Sequence, residues 1–272
     1  MSDRPLPSSL FATPEHLPLR TVASLTAEPV LVVAPHPDDE TLGCGGAIAL
    51  LRARGCPVYV LIVSDGTQSH PHSCHYPQAK LRQLREAESL EALTLLQVDP
   101  SHVTFLRLPD GAVPPVGTPN QPSLLLTSLD KTAANAAARH AIDSCQDYLT
   151  QVQPRVIFLP YQFDPHPDHR ATWQLIQSAI PHLADRPRII EYPIWDWDPT
   201  QRQSPDTHYQ AWRLDIAAIV KLKEAAIACY RSQITDLIND DPTGFRLAPG
   251  LIANFLKPWE IYLEPILNNS SQ

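Results

Sequence analysis

The sequence predicts a single-domain α/β protein: a Rossmann-like parallel sheet flanked by helices, followed by a C-terminal β-meander and helix. Two observations carry this prediction. Short apolar runs of strand length alternate with longer segments of helical periodicity between residues 30 and 180. The runs are continuously apolar, which is typical of parallel strands buried on both faces. At 272 residues the chain can also enclose a full hydrophobic core.

The predicted elements alternate regularly up to about residue 180. Gly55 ends the first helix and Ser64-Asp65-Gly66 ends the second strand, because glycine and small polar residues favour turns. The predicted strands cover residues 30–33, 58–63, 103–106 and 156–159, and the predicted helices cover 41–54, 80–97, 128–151 and a segment from 171.

The two ends of the chain are patterned differently. Residues 1–27 are rich in proline and predict an N-terminal extension on the surface, so the domain is placed at residues 28–265. In the C-terminal third, we expect strands at 188–195, 209–216 and 259–263 and a helix at 217–232. A polar turn separates the first two of these strands, which predicts the meander.

Composition limits the classes of function. Hydrophobic residues make up 43% and charged residues 18%, which are globular values. The net charge of −8 argues against a nucleic-acid surface, which would need a basic face. No apolar run approaches the ~18 residues of a membrane span, and the first residues lack the apolar core of a signal peptide. Five cysteines without a CxxC motif predict reduced thiols. We expect a cytoplasmic protein whose partner is a small molecule.

An acidic cluster follows the first predicted strand. In the segment HPDDE, His36, Asp38, Asp39 and Glu40 fall within five positions. Carboxylates this close repel one another beside a buried strand, and a divalent cation would offset that charge. His36 and Asp39 are three residues apart and can face one way at a helix start, while Asp38 points elsewhere.

A second cluster, DPHPDH at residues 164–169, follows the fourth predicted strand. Ligands of parallel α/β sheets bind beyond the carboxyl ends of the strands, so we expect the two clusters to meet. One His and one Asp from the first cluster and one His from the second would supply three ligands to a metal. Zinc with three protein ligands and an open position is the catalytic type, in which bound water becomes hydroxide near neutral pH. Asp38 would then be a nearby base and one His an acid.

These motifs resemble those of the LmbE/PIG-L family, zinc enzymes that remove acetyl groups from N-acetylglucosaminyl substrates. Further similar segments are SDG at 64–66, Arg85-x-x-Glu88, LPDG at 108–111 and KEAAIACYRSQ at 223–233, so that the resemblance spans roughly residues 28–265. It departs from the family at Asp164-Pro165, where some relatives have a tyrosine, and at Tyr230, where a histidine is common.

The resemblance implies a fold, a reaction and a set of roles. It implies an LmbE-like domain that uses one zinc ion per chain, with Fe²⁺ as an alternative, to hydrolyse an N-acyl amino sugar or glycoconjugate. It leaves open whether the chain forms a homo-oligomer. The implied ligands are His36, Asp39 and His169; the base is Asp38; His166 acts at the oxyanion with Asp168 orienting it; Arg85 and Asp110 bind sugar hydroxyls.

Two other functions remain open at this point. Two histidines and one carboxylate also form the site of mononuclear iron oxygenases, although those sites often lie on all-β folds. A catalytically silent sugar-binding protein would keep the fold without the reaction.

Weaker signals lie outside these clusters. A loop carries His70, His72, Cys74 and His75, which suit either a second metal site or, as we favour, a polar rim around the substrate. Trp195 and Trp197 would either pack in the fold or stack on a sugar ring. Cys44 has no base beside it in the sequence and is predicted to be a packing residue.

Overall fold

A computed structural model describes residues 13–25, 28–116, 128–198 and 209–266. The strands are β1 Leu19–Arg20, β2 Val30–Ala34, β3 Val58–Ser64, β4 Val103–Leu108, β5 Val156–Pro160, β6 Arg188–Tyr192, β7 Tyr209–Asp215 and β8 Trp259–Pro265. The helices are α1 Asp39–Arg52, α2 Gln78–Leu95, α3 Ser128–Val152, α4 Pro167–Ala179, α5 Val220–Ile227, α6 Arg231–Ile234 and α7 Pro249–Phe255.

The strands form one mixed sheet in the order β1-β7-β8-β6-β5-β2-β3-β4, which confirms the predicted α/β fold class. The chain runs outward from β2 through β3 to β4, then returns to place β5 on the other side of β2. All five strands from β6 to β4 in this order are parallel. The carboxyl ends of β2 and β5 therefore flank a topological switch point, where open α/β sheets bind their ligands.

The predicted C-terminal meander is wrong. Strand β8 inserts between β6 and β7 and runs antiparallel to both, so β6 and β7 are not neighbours. Apolar periodicity marks a segment as a strand but does not say which strand it will pair with. The predicted helix at 217–232 is likewise divided into α5 and α6, and residues 195–197 form a short 3-10 turn beyond β6.

Helices α1 and α4 begin earlier than their apolar patterns indicate. The sequence places their starts at residues 41 and 171, whereas α1 begins at Asp39 and α4 at Pro167. The first turn of each helix is made of site residues, which carry no apolar periodicity. Both polar clusters consequently lie at helix N-termini, where negative side chains are favoured by the helix dipole.

Part of the predicted N-terminal extension is built into the fold. Strand β1 pairs in parallel with β7, and Leu25 is 2% exposed within the main core. Described residues before the predicted boundary at 27/28 therefore contact both the sheet and the core.

The glycines after the acidic cluster let α1 approach the sheet closely. A Cβ on Gly43 would come within 2.3 Å of the Tyr192 ring, and one on Gly46 within 2.5 Å of Ile216. Cys44 lies between them, fully buried in the core, which confirms its predicted packing role. No helix among the described residues has the length and apolar character needed to cross a membrane.

Candidate metal centre

Three side chains from the two clusters converge on one point at the switch of the sheet. His36 Nδ1 lies 3.2 Å from Asp39 Oδ2, His169 Nε2 lies 3.3 Å from the same oxygen, and the two nitrogens are 3.3 Å apart. Three donor atoms at nearly equal spacing form a compact triangle. Donors bound at about 2.0–2.1 Å to a tetrahedral ion are spaced about 3.3 Å apart, so this triangle fits zinc or an ion of similar size.

His36 is also close to donor atoms outside this triangle. One further set combines it with His166 and His169 and another with Asp110 and Asp168, each with donor atoms within 4.8 Å of one another. The donor atoms of the triangle with Asp39 lie closer together, at 3.2–3.3 Å, than the 4.8 Å limit that describes the other two sets. The triangle also combines one His and one Asp from the first cluster with one His from the second, as the sequence predicts, so we take it as the candidate site.

The outer nitrogens of both histidines face carboxylates. His36 Nε2 lies 3.2 Å from Asp110 Oδ1 and 3.2 Å from Asp168 Oδ2. His169 Nδ1 lies 3.3 Å from Asp164 Oδ2, without the alignment of a hydrogen bond. A carboxylate behind a histidine is the usual support of a metal ligand, because it fixes the ring orientation and raises the basicity of the bound nitrogen.

The charges of neighbouring groups shift the pKa values of Asp39 and His169 in opposite directions. Burial by itself would raise the pKa of Asp39, but the charges and hydrogen bonds of His169 and His36 hold it well below its usual range. Burial would lower the pKa of His169, and the carboxylates of Asp164 and Asp39 raise it to about 9.

Asp38 is placed beside the triangle and outside it. The residue is 5% exposed and sits at the N-cap position of α1, yet its side chain makes no capping hydrogen bond. Its carboxylate instead contacts Arg85, with Nη2 3.2 Å from Oδ2. Burial raises the pKa of Asp38 to about 7, and the charge of Arg85 opposes that rise. A carboxyl group with such a pKa is suited to proton transfer near neutral pH.

His166 occupies the N-cap of α4, where its Nδ1 accepts a hydrogen bond of 3.2 Å from the backbone N–H of Asp168. Its ring centroid lies 4.8 Å from that of His36 and 5.1 Å from that of His169. Burial, together with the nearby charges of His169 and His36, lowers the pKa of His166 to about 4.

The Asp168 carboxylate, which the resemblance assigns to orienting His166, makes its hydrogen bonds elsewhere. That carboxylate accepts hydrogen bonds from the backbone N–H groups of Gly111 and Val113, and its Oδ2 faces His36. The Asp168 carboxylate therefore faces His36, a member of the triangle, and the hydrogen bond between Asp168 and His166 comes from the main-chain N–H of Asp168.

Arg85 and Asp110 line the cavity, but their polar atoms face the protein. Arg85 is 3% exposed, and its Nη atoms are bonded to Gly66, Pro37 and Asp38. Asp110 accepts a 2.7 Å bond from a backbone N–H and contacts His36. The Nη groups of Arg85 are thus engaged with protein atoms, and its Nε is buried without a hydrogen-bond partner among the described residues.

A cavity of about 230 Å³ opens over the triangle. Its lining includes the polar or small residues Gln68 and Gly111 and two half-buried aromatic rings, Trp195 and Phe245. The Trp195 ring is stacked 6.3 Å from His166 and meets Phe245 edge-on at 5.8 Å. Trp195 thus reaches the site, whereas Trp197 packs against Trp259.

The histidine-rich loop forms part of the rim. Among the described residues, His70, His72, Cys74 and His75 do not assemble into a set of metal ligands, and the last three are exposed. Ser69 of this loop lines the cavity, and its carbonyl accepts a 2.6 Å bond from the N–H of Phe245. The favoured prediction of a rim agrees with this placement.

Sequence reasoning missed two supporting groups. Asp164 is fully buried behind His169, yet its position was read only as a departure from the family pattern. Glu40 is also fully buried, where Tyr230 donates a short hydrogen bond to it. The signal for Asp164 was its place in the same polar cluster as His169, but nothing in the sequence pairs Glu40 with Tyr230, 190 positions later.

Comparison with known proteins identifies a family and relatives that are similar to this chain. A family model described as PIG-L: GlcNAc-PI de-N-acetylase matches residues 31–180, more than half of the chain. A 1D-myo-inositol 2-acetamido-2-deoxy-alpha-D-glucopyranoside deacetylase of Nocardia farcinica is 26% identical over 257 residues, covering 76% of this chain and 80% of the relative. A probable N-acetyl-alpha-D-glucosaminyl L-malate deacetylase 2 of Bacillus subtilis is 25% identical, covering 78% of this chain and 86% of the relative.

Solved structures with the same fold include deacetylases and one enzyme of another class. GalB of Pseudomonas putida KT2440, a 4-carboxy-2-hydroxymuconate hydratase, has a TM-score of 0.60 and 18% identity, covering 90% of this chain and 99% of that chain. At this identity the likeness concerns the fold alone. The fold therefore does not fix the reaction, which has to be argued from the site.

Proposed function

The chain belongs to the PIG-L family, and from this premise we propose that it is a metal-dependent N-deacetylase acting on an N-acetylglucosamine-type sugar or conjugate. The observation that carries the proposal is the triangle of His36, Asp39 and His169 with one buried carboxylate, Asp38, beside it. A metal-dependent amide hydrolase needs both a site for a cation and a separate base, and the described residues supply candidates for both next to one cavity.

The ligand triangle would hold zinc, with Fe²⁺ as the alternative ion. Bound zinc supplies a polarised amide carbonyl and a water of lowered pKa. Asp38 accepts the proton of the attacking water. Of the carboxylates that the described residues contribute to the cavity, Asp39 belongs to the triangle and Asp110 contacts His36, so Asp38 alone remains for this role.

His166 works on the other side of the reacting amide. Its ring lines the cavity next to both histidine ligands, where negative charge develops on the carbonyl oxygen as the amide is attacked. A donor aimed at that oxygen stabilises the transition state. The departing amine takes its proton from Asp38, which has accepted one from the attacking water and lies in the same cavity.

The substrate is proposed to be small. The cavity of about 230 Å³ lies below the ~300–1,000 Å³ of pockets for larger ligands, which suits an amino sugar with a short acyl group. Its lining includes Gln68 and Gly111 and the aromatic rings of Trp195 and Phe245, against which an acyl methyl group or a sugar face can pack. We propose a cytoplasmic location for this reaction, with no nucleic-acid partner.

The test is a panel of N-acyl amino sugars and conjugates offered to the metal-loaded protein. Free amine and acetate should appear in equal amounts, and both should vanish in the metal-free protein and in Asp38→Asn. No amine from any member of a broad panel would contradict the proposal.

The same experiment addresses the iron oxygenase, which the two-histidine, one-carboxylate triangle also resembles. A deacetylase loaded with zinc works without oxygen, because hydrolysis consumes only water. If the iron-loaded protein instead consumes oxygen and the zinc-loaded protein is inert, the oxygenase is the correct function.

A further inference from the structure

The side chain of Arg85 is directed at the proposed base. Its Nη2 donates to the carbonyl of Pro37 at 2.9 Å and lies 3.2 Å from Asp38 Oδ2. Its Nη1 donates to the carbonyl of Gly66 at 2.9 Å. The planar guanidinium thus binds the carboxylate of Asp38 and the main chain just before it, a fork geometry that lysine does not reproduce.

Gly66 provides the seat for this guanidinium. A Cβ at this position would lie 2.6 Å from Arg85 Nη1, and the backbone φ of +66° disfavours a side chain in any case. Two motifs that are separate in the sequence, the SDG turn and the arginine of α2, are therefore parts of one arrangement that ends on Asp38.

The main chain of Asp38 is held from the opposite direction. Its N–H donates to Glu40 Oε2 at 3.1 Å, and Tyr230 donates a short hydrogen bond to the other oxygen of Glu40. Asp38 has a φ of +158° and ψ of −27°, an unusual backbone for a residue that is not glycine. Such a conformation persists only where the surroundings fix it, and it is typical of functional sites.

These contacts distinguish two roles for Arg85. A sugar-binding arginine would direct its Nη groups into the cavity, but both Nη groups here are bonded to protein atoms and the residue is 3% exposed. The Nε group has no hydrogen-bond partner among the described residues, but it is buried. Asp38, by contrast, makes no capping bond and is not part of the metal triangle, so its carboxylate depends on Arg85 for its position.

We propose that Arg85, seated on Gly66, is a positioning residue that aims the Asp38 carboxylate at the reacting water, and that it does not bind the sugar. This rests on the proposed function, in which Asp38 is the base. A misaimed base loses part of the ~10²–10⁴-fold that a general base contributes. Substrate binding and metal binding should be left intact.

The experiment compares Arg85→Ala and Arg85→Lys with Arg82→Ala, a matched control one turn earlier on α2. The Arg82 side chain is 38% exposed, and its ion pair within the described part of the chain is with Glu86 at 4.0 Å. The probe is the methyl glycoside of N-acetylglucosamine, given to full-length, metal-loaded protein. In Arg85→Ala we expect kcat to fall ~10²-fold with KM within about twofold and one metal per chain. The kcat of Arg85→Lys should fall less, and the kcat of Arg82→Ala should match that of the wild type. Added guanidinium should raise the kcat of Arg85→Ala at least about tenfold, because it can replace the missing group, whereas it could not repair a structural defect.

Other results overturn the inference. A KM raised tenfold or more with kcat unchanged would make Arg85 a sugar-binding residue. Crystal structures of wild type and Arg85→Lys, a variant that keeps the buried charge and favours folding, decide the matter even if no amide is cleaved. An Asp38 carboxylate shifted away from the triangle supports the inference, and an unmoved one refutes it. Absence of turnover by the wild type refutes the proposed function alone.

Discussion

The tripeptide His-Pro-Asp occurs twice in the site, at residues 36–38 and 166–168, and the two copies are used differently. In the first copy the helix begins after the tripeptide, so that Asp38 is the N-cap and His36 lies before the helix. In the second copy the helix begins at the proline, so that His166 is the N-cap and Asp168 lies in the first turn.

This shift of two positions relative to the helix start exchanges the roles. His36 enters the metal triangle while His166 caps a helix, and Asp38 faces the cavity while Asp168 turns back to support His36. The third donor atom comes from His169, one residue after the second tripeptide. The role of each residue in the motif thus depends on where the helix begins relative to the motif as much as on the residue types.

The largest expected effect separates the two histidines of the second cluster. His169→Ala removes a donor of the triangle, so the chain should lose its metal and its turnover should fall by more than ~10³-fold, because a metal contributes several kcal/mol to the transition state. His166→Ala should keep the metal. Elemental analysis of both variants beside exposed His182→Ala checks this, and full metal occupancy in His169→Ala would refute the assigned triangle.

The second largest effect separates Asp38, the last residue of the first tripeptide, from Asp39, which directly follows it. Asp38→Asn is nearly isosteric but cannot accept a proton, so kcat should fall by ~10²–10⁴-fold with the metal still bound. Asp39→Asn should weaken metal binding instead, and added zinc should partly restore its activity. A zinc titration of both variants followed by turnover at saturating metal is the measurement. Rescue of Asp38→Asn by zinc, with none for Asp39→Asn, would mean that base and ligand are reversed.

A smaller effect is expected for the carboxylates behind the ligands. Asp168→Asn and Asp164→Asn remove the negative charges that face His36 and His169, and such supports typically account for 10–100-fold in metal affinity. Competition with a chelator gives the affinity directly, with exposed Asp99→Asn as the control. Unchanged zinc affinity in both variants would show that the carboxylates serve packing and not the metal.

Much of this arrangement could be predicted from the sequence because strand periodicity and motif spacing are local signals. The switch between β2 and β5 follows from the alternation of strands and helices, and the convergence of His36 with His169 follows from that switch. Pairings across long sequence distances could not be predicted. The insertion of β8 between β6 and β7, the bond from Tyr230 to Glu40, and the inward turn of Arg85 all depend on tertiary packing, which no local pattern records.

The smallest predicted effect concerns the helix-capping hydrogen bond of His166, which has no counterpart in the first tripeptide. His166 Nδ1 accepts the N–H of Asp168, while Asp38 at the equivalent N-cap makes no side-chain bond to its helix. Loss of an N-cap acceptor typically lowers the free energy of unfolding by ~0.5–2 kcal/mol, and asparagine is among the best caps. His166→Ala should therefore unfold at a lower denaturant concentration than His166→Asn, by an amount near the low end of that range because the observed bond is long. Both variants lack the imidazole, so both should lose turnover alike. Measuring unfolding and turnover in both variants separates the capping role of His166 from its role in the reaction. Equal stability of the two variants would show that a side-chain cap at this position does not stabilise the helix. Retained turnover in His166→Asn would show that the imidazole has no part in the reaction.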